Sequence, residues 1–426
     1  MIDPSRPHPN LGPRAVAFLA LAVLAGVIGF GTFHKGGSKV KAVNTSAPTT
    51  VANSPTDSSI TDPVATTAAS STITTVPALP MPASPKPLPA GGLFEGGRPP
   101  QFVVISFDGA VDDKMLKRWT AVAKDATASL SFFLSAVYLL GDDNKTAYQG
   151  PKHNAGESEI KFALNGARPV VDFLKETVAG LRQAQIEGHE LANHFGGHWC
   201  GPNGVNKWLA KDWAIEMDQF ENLTTNLDAL NKLSTPVGSP FLRTPVGTRT
   251  PCLEGNLPEL FRVSKARGYR YDASSTRRMD SWPTQKSGLW SYGFPGVAFP
   301  AFGDQPAQPR PLLTVDFSLR ENLDQGYKST EAEAKVISDR VYAAFMAAFV
   351  QNLNGNRAPF EAANHFVTFS HDAFNQALAR FMLDACKRPE VFCVNYQQLS
   401  DWLDAHKDKL PGFQTATFPK TAVPAT

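Results

Sequence analysis

The chain has 426 residues, 19% of them charged and 42% hydrophobic, with a formal net charge of +2. Length alone allows two or three domains, but a near-neutral balance without a clustered basic face gives no electrostatic case for nucleic-acid binding. Four cysteines with no Cys-x-x-Cys spacing argue against a cysteine zinc site or a thioredoxin-like redox centre.

Residues 15–33, AVAFLALAVLAGVIGFGTF, carry no charge. At 1.5 Å per residue such a helix just spans a hydrocarbon core of about 30 Å. A transmembrane signal anchor is therefore expected there, after a short cytoplasmic segment, 1–14. Val40-Lys41-Ala42 offers a small-residue cleavage site, and a chain cut there would be secreted. Arg6 and Arg14 precede the segment while Lys35, Lys39 and Lys41 follow it, so flanking charge favours the C-terminal side inside. The cysteines and the linker outweigh that, and place the C-terminal part outside the cytoplasm, periplasmic or extracellular, at the cell membrane. Residues 34–100 are dominated by Ser, Thr, Pro and Ala, a disordered linker by composition and similar to an O-glycosylated stalk. A globular domain is expected over 101–412 and a flexible tail over 413–426.

Within 101–412, strand-like and helix-like stretches alternate. FVVISF (102–107) is a short continuous apolar run, as in a buried parallel strand. A helix around Leu116, Trp119 and Ala123 follows, then strand SLSFFLS (129–135). Val170, Phe173, Leu174, Val178 and Leu181 form a helical stripe that closes at Gly188. A long helix is expected over 208–233 and a strand at FLRTP (241–245). Thr330 and Glu333 form a capping box opening a helix to about 351. FVTFS (366–370) and VFCVNY (391–396) read as late strands. Such repeats imply an α/β fold with a parallel sheet, doubly wound or closed into a barrel. Cys386 and Cys393 are expected to pair across a helix-to-strand turn, which leaves Cys200 to pair with Cys252.

Asp108 follows the first strand, Arg243 lies in FLRTP, and His371 follows FVTFS. Polar groups at the carboxyl ends of strands carry the chemistry of parallel α/β folds. ISFDGAVDD (105–113), GHELANHFGGH (188–198), FLRTP, RYDASS with a later Ser-Trp-Pro (270–275 and 281–283), and His371 resemble, in order, the five motifs of the polysaccharide deacetylase family. That family, carbohydrate esterase family 4, includes chitin and peptidoglycan deacetylases, and the resemblance runs from about 102 to 402. NRAPF (356–360) and QQLSDW (397–402) are similar to its chitin-deacetylase-like branch. The resemblance implies a distorted (β/α) barrel and metal-dependent hydrolysis of N-acetyl groups from an N-acetylglucosamine polysaccharide. It implies a divalent metal, Zn2+ first, on His194 and His198. It implies Asp108 as general base, Arg243 orienting it, His371 as general acid, and Asp272 tuning that acid.

The chain departs from the family at Gly109, where the third protein ligand to the metal is an aspartate. Two protein ligands remain, against the three usual for catalytic zinc; Asp112, Asp113 or a water are the substitutes on offer. Phe195 and Val246 also differ from the Ser/Thr and the aromatic residue usual at their positions. Two functions stay in view, a deacetylase with a modified site and a catalytically silent carbohydrate-binding relative. Each candidate also has a plainer role: Asp108 as a helix N-cap, His194 and His198 as core histidines, Arg243 as an ion-pair partner of Asp272, and His371 as a surface histidine; His365, nearby, reads as structural. His189-Glu190 with His194 makes HExxxH, one residue longer than the zinc-protease motif, which puts its histidines on different helical faces. A serine esterase would want a GxSxG elbow, which is missing. Trp199, Trp282 and Trp290 are candidates for either a sugar-stacking groove or the core.

Overall fold

The structure, a computed structural model, describes residues 85–418 apart from 167, 202 and 203. The expected anchor at 15–33 and most of the expected linker lie outside the described residues. Among the described residues, no helix is long and apolar enough to cross a membrane.

β1 (Gln101–Asp108) is buried along its whole length, and its alternate residues serve two different cores. Val103, Ile105 and Phe107 join one apolar cluster. Phe102 and Val104 join another with Phe133, Ala192 and Tyr271. That period of two places Ser106 and Asp108 on the Phe102 side. β1, β2 (Ser131–Leu134), β3 (Glu190–Asn193), β4 (Gly247–Thr248), β5 (Tyr271–Arg277) and β7 (Leu289–Val297) pair in that order, all parallel. β6 (Thr284–Lys286) and β8 (Leu312–Leu313) lie antiparallel on β7. β9 (Phe360–His365) runs parallel to β1 with His365 opposite Asp108. β10 (Val391–Cys393) pairs with the start of β1. Beyond β8, the Thr314 carbonyl accepts from the Ala363 N–H at 2.9 Å, so pairing returns from β7 to β9. The mixed α/β fold with a parallel sheet is as the strand–helix alternation predicts.

Helices α1 (Asp113–Ala126), α2 (Val170–Ile186), α3 (Ala210–Thr225), α4 (Leu257–Ala266), α5 (Asp316–Leu323), α6 (Glu331–Leu353) and α7 (Phe369–Cys386) lie between the strands, and α8 (Tyr396–His406) follows β10. α6 opens on the expected capping box, with the Thr330 N–H donating to Glu333 at 2.7 Å. The single helix expected over 208–233 breaks at Asn226. Just before the break, the Thr224 and Thr225 hydroxyls bond back to the Phe220 and Glu221 carbonyls, which disfavours continuation.

Two expected strands are corrected. FLRTP is loop, and the strand is the two-residue β4 beyond it; Pro240 and Pro245 supply no N–H to a ladder. FVTFS is also not a strand, because β9 precedes it as FEAANH. A glutamate interrupts the apolar run of β9, yet Glu361 is buried, with Arg277 at 3.0 Å and a hydrogen bond from the Tyr396 hydroxyl.

Packed residues also lie beyond both expected boundaries. Within 85–100, Lys86 donates to the Arg388 carbonyl at 2.6 Å, and the Gly92 carbonyl accepts from the Trp402 indole at 2.9 Å. Phe94 packs on Phe392. At the other end Phe413 is buried and the Phe418 N–H donates to the Gly355 carbonyl. Both expected disulfides form, Cys386–Cys393 and Cys200–Cys252.

Candidate active site

β1 carries Asp108 to its carboxyl end, where the side chain is free of the plainer capping role. Asp112 caps α1 instead, accepting from the Met115 N–H at 2.9 Å, and Asp113 pairs with Lys117 at 2.8 Å. Both carboxylates are thus committed to α1, and neither stands in for the aspartate absent at 109.

Arg249 holds Asp108, with Nη1 donating to Oδ1 at 2.7 Å. The guanidinium is fully buried, and its other donors reach the Ser106 hydroxyl, the Tyr396 hydroxyl and the Ala273 carbonyl. Burial alone would push the Asp108 carboxyl up, but Arg249, His194 and His365 outweigh it and hold the pKa at about 2.

This corrects the expected role of Arg243, which donates to the Gln185 carbonyl at 2.8 Å from the loop before β4. The sequence contains two Arg-Thr-Pro tripeptides, at 243–245 and 249–251. Only the second leaves a strand end. The signal for it was Gly247, where a Cβ would drive into the Tyr271 ring.

His194 follows β3, and its Nδ1 faces the Arg249 carbonyl at 2.8 Å. Its Nε2 is buried without a hydrogen-bond partner, 3.8 Å from Asp108 Oδ2. The ring of His198 lies 5.2 Å from that of His194, centroid to centroid. Gly196 and Gly197 make that turn possible, since a Cβ on either would strike Tyr148. Their N–H groups both donate to the buried carboxylate of Glu216. Burial lowers the pKa of both histidines, and with the neighbouring His194 it holds His198 at about 3. Both imidazoles are therefore neutral at ordinary pH, the form that ligates metals.

The structure does not place His371 with this cluster. It sits at the exposed start of α7 with Nε2 against the Ser329 carbonyl at 2.9 Å. His365, the last residue of β9, stands at the site instead, with Nε2 3.9 Å from Asp108 Oδ2. Its Nδ1 lies 2.7 Å from Asp316 Oδ1, and its backbone N–H donates to Asp316 Oδ2 at 2.8 Å. Burial lowers the His365 pKa, but Asp316 and then Asp108 outweigh it, and the net shift is upward.

Asp272 is likewise not the partner of that histidine. It is buried between β4 and β5, accepting from the Thr248 hydroxyl at 2.9 Å and the Ser274 hydroxyl at 2.8 Å. Burial raises its pKa to about 6. The missed partner, Asp316, closes TVD after the apolar pair of β8, the same pattern as ISFD at Asp108. His189 and Glu190 are structural: His189 Nδ1 accepts from the Leu130 N–H, and Glu190 accepts from Ser131 and Tyr271. The three tryptophans are core: Trp282 and Trp290 join the second cluster, and Trp199 is buried with His153 stacked on it.

The donor set fits a divalent metal. An orphaned, buried imidazole nitrogen faces a carboxylate oxygen, and a second neutral imidazole adjoins it. Gly109 has φ +76°, and a Cβ built there would meet nothing nearer than the Tyr138 hydroxyl at 3.8 Å. Space for a carboxylate therefore remains, and aspartate is among the residues that tolerate the left-handed region. Gly109→Asp is expected to cost about 1–2 kcal/mol of stability for the positive φ. It is expected to tighten Co2+ binding at least about tenfold through an added anionic ligand, read by titrating the cobalt visible absorbance. Unchanged affinity would show that position 109 does not face the metal.

No family model matches this chain, and no curated protein matches it. The solved structures similar to it include polysaccharide deacetylases and other members of carbohydrate esterase family 4. A Mycobacterium smegmatis protein described as a polysaccharide deacetylase is 13% identical, with a TM-score of 0.43, over 81% of this chain and 99% of that one. A family 4 pseudoenzyme from Bacillus anthracis is 9% identical, with a TM-score of 0.35, over 71% of this chain and 66% of that one. A family 4 acetyl xylan esterase from Clostridium thermocellum, in complex with a cobalt ion, is 12% identical, with a TM-score of 0.36, over 76% and 100%.

Proposed function

We propose that this chain is a polysaccharide deacetylase of carbohydrate esterase family 4, with the barrel of that family, hydrolysing N-acetyl groups from an N-acetylglucosamine polysaccharide (chitin-like, peptidoglycan or exopolysaccharide). One observation carries the reading: the Nε2 atoms of His194 and His365 both stand within 4 Å of Asp108 Oδ2, itself anchored by Arg249. A base, an acid and an orphaned ligand nitrogen thus meet at one carboxylate oxygen.

Asp108, ionised at any working pH, accepts the proton of the attacking water at Oδ2. Arg249 keeps that carboxylate charged and fixes its second oxygen. His365, oriented through Nδ1 by Asp316, delivers a proton from Nε2 to the departing sugar amine. His194 and His198 would hold a divalent metal, Zn2+ by preference, which when bound would supply polarisation of the acyl oxygen and a water acidic enough for so weak a base as Asp108. The uncharged run at 15–33 and the Ser/Thr/Pro-rich stretch after it support a domain tethered to the cell membrane and facing outward, or secreted if the anchor is cleaved.

Gly109 favours a second reading, a catalytically silent carbohydrate-binding relative. Acetate release from N-acetylglucosamine oligomers, assayed with and without added Zn2+ or Co2+, separates the two. Release that rises with metal and vanishes in Asp108→Asn and His194→Ala is expected. Oligomer binding with no release at any metal concentration would establish the silent relative.

A further inference from the structure

The Cys200–Cys252 disulfide joins segments 52 residues apart, and each half adjoins a residue of the site. Cys200 lies two residues after His198, and Cys252 three residues after Arg249. Cys200 Sγ is 3.9 Å from His198 Nδ1 and 3.7 Å from the His198 carbonyl oxygen. His198, Cys252 and Leu253 all have φ between 55° and 57°, backbone that side chains occupy only where surrounding contacts enforce it. Segment 249–252 therefore references both histidines. His194 is fixed by a hydrogen bond to the Arg249 carbonyl, and the loop of His198 is fixed by the disulfide. With Gly109 supplying no ligand, the affinity of a two-histidine site depends on how firmly the pair is pre-organised.

We propose that the Cys200–Cys252 disulfide is a positioning device that holds His198 beside His194, offsetting the missing carboxylate ligand. The proposal rests on the metal-dependent reading above. The molecule contains its own control: Cys386–Cys393 is a cross-link at the opposite end of β1 from Asp108, where Cys393 pairs with Val103.

The test compares the full chain with its Cys200→Ser/Cys252→Ser and Cys386→Ser/Cys393→Ser variants by Co2+ titration and by amide hydrogen exchange. In the first variant, Co2+ affinity is expected to fall at least about tenfold, the scale seen when support of a ligating histidine is lost. Exchange over 196–201 and 249–255 is expected to quicken by a similar factor, and the second variant should change neither. Exchange in those segments as slow as in the native chain overturns the proposal. So does exchange quickened alike throughout the domain, which would make the bond a general staple. If the native chain binds no Co2+, the metal reading has failed, and the exchange comparison alone decides whether the disulfide holds His198. Should the serine pair not fold, the Cys386→Ser/Cys393→Ser protein reduced with dithiothreitol opens the same bond.

Discussion

Arg249→Ala is expected to destabilise the protein by about 3–5 kcal/mol, because it strands a buried carboxylate. Arg243→Ala, in an identical tripeptide, is expected to cost less than Arg249→Ala, because Arg243 is only partly buried and water can replace what its removal leaves open. Urea midpoints at unchanged slope read both. In the native chain Asp108 titrates at about 2 against an ordinary 3.8, a depressed carboxylate. Its contribution, about 2 kcal/mol by linkage, is complete above roughly pH 4 and is lost as pH falls toward 2. Without the guanidinium, burial is the larger influence and raises the Asp108 pKa. A base must be deprotonated, so the acidic limb of the Arg249→Ala pH–rate profile should move upward. Its kcat/KM should fall at least about 10²-fold, the low end for losing a positioned base. Arg249→Lys keeps the charge but loses the fork that reaches Asp108 and Ser106 together, and should fall between the two. Equal midpoints for Arg249→Ala and Arg243→Ala would refute the assignment.

The two arginines look alike in sequence for a physical reason. Which Arg-Thr-Pro enters the interior depends on Gly247, whose missing Cβ leaves room for the Tyr271 ring 24 residues further along the chain. Asp108, His194 and His198, singled out by their place in contiguous motifs, do come together in the structure, because each motif lies at the end of one strand. β9 was not, because Glu361 breaks its apolar pattern and only Arg277 and Tyr396, distant in sequence, make that burial tolerable. With the strand misplaced, the histidine at its end reads as His371, whereas β9 ends at His365, against Asp108. The same displacement hid Asp316, whose partnership with His365 spans 49 residues. Asp272, expected to tune the acid, instead accepts from hydroxyls on β4 and β5, which makes it a strand fastener. Residues whose role follows from their own segment were readable, and those defined by a partner across the sheet were not.

His365→Ala is accordingly expected to lower kcat about 10²–10⁴-fold, the range for a positioned general acid, while His371→Ala leaves it unchanged. Asp316→Asn tests the coupling without removing the imidazole. In the native chain the His365 pKa is raised, because the charge and hydrogen bond of Asp316, and then the charge of Asp108, outweigh burial. Asparagine keeps an oxygen near Nδ1 but removes the charge, so burial gains weight and the pKa falls. A general acid works only while protonated, so the alkaline limb of kcat should move to lower pH. Relative to the native chain, the variant should therefore lose most rate on the alkaline side and recover part of it as pH falls. KM for the oligomer should change little, because Asp316 acts on His365 and is set back from the substrate. An alkaline limb that stays in place would mean that His365 does not supply the proton. An equal loss at every pH would mean that Asp316 serves only to hold β9 against α5.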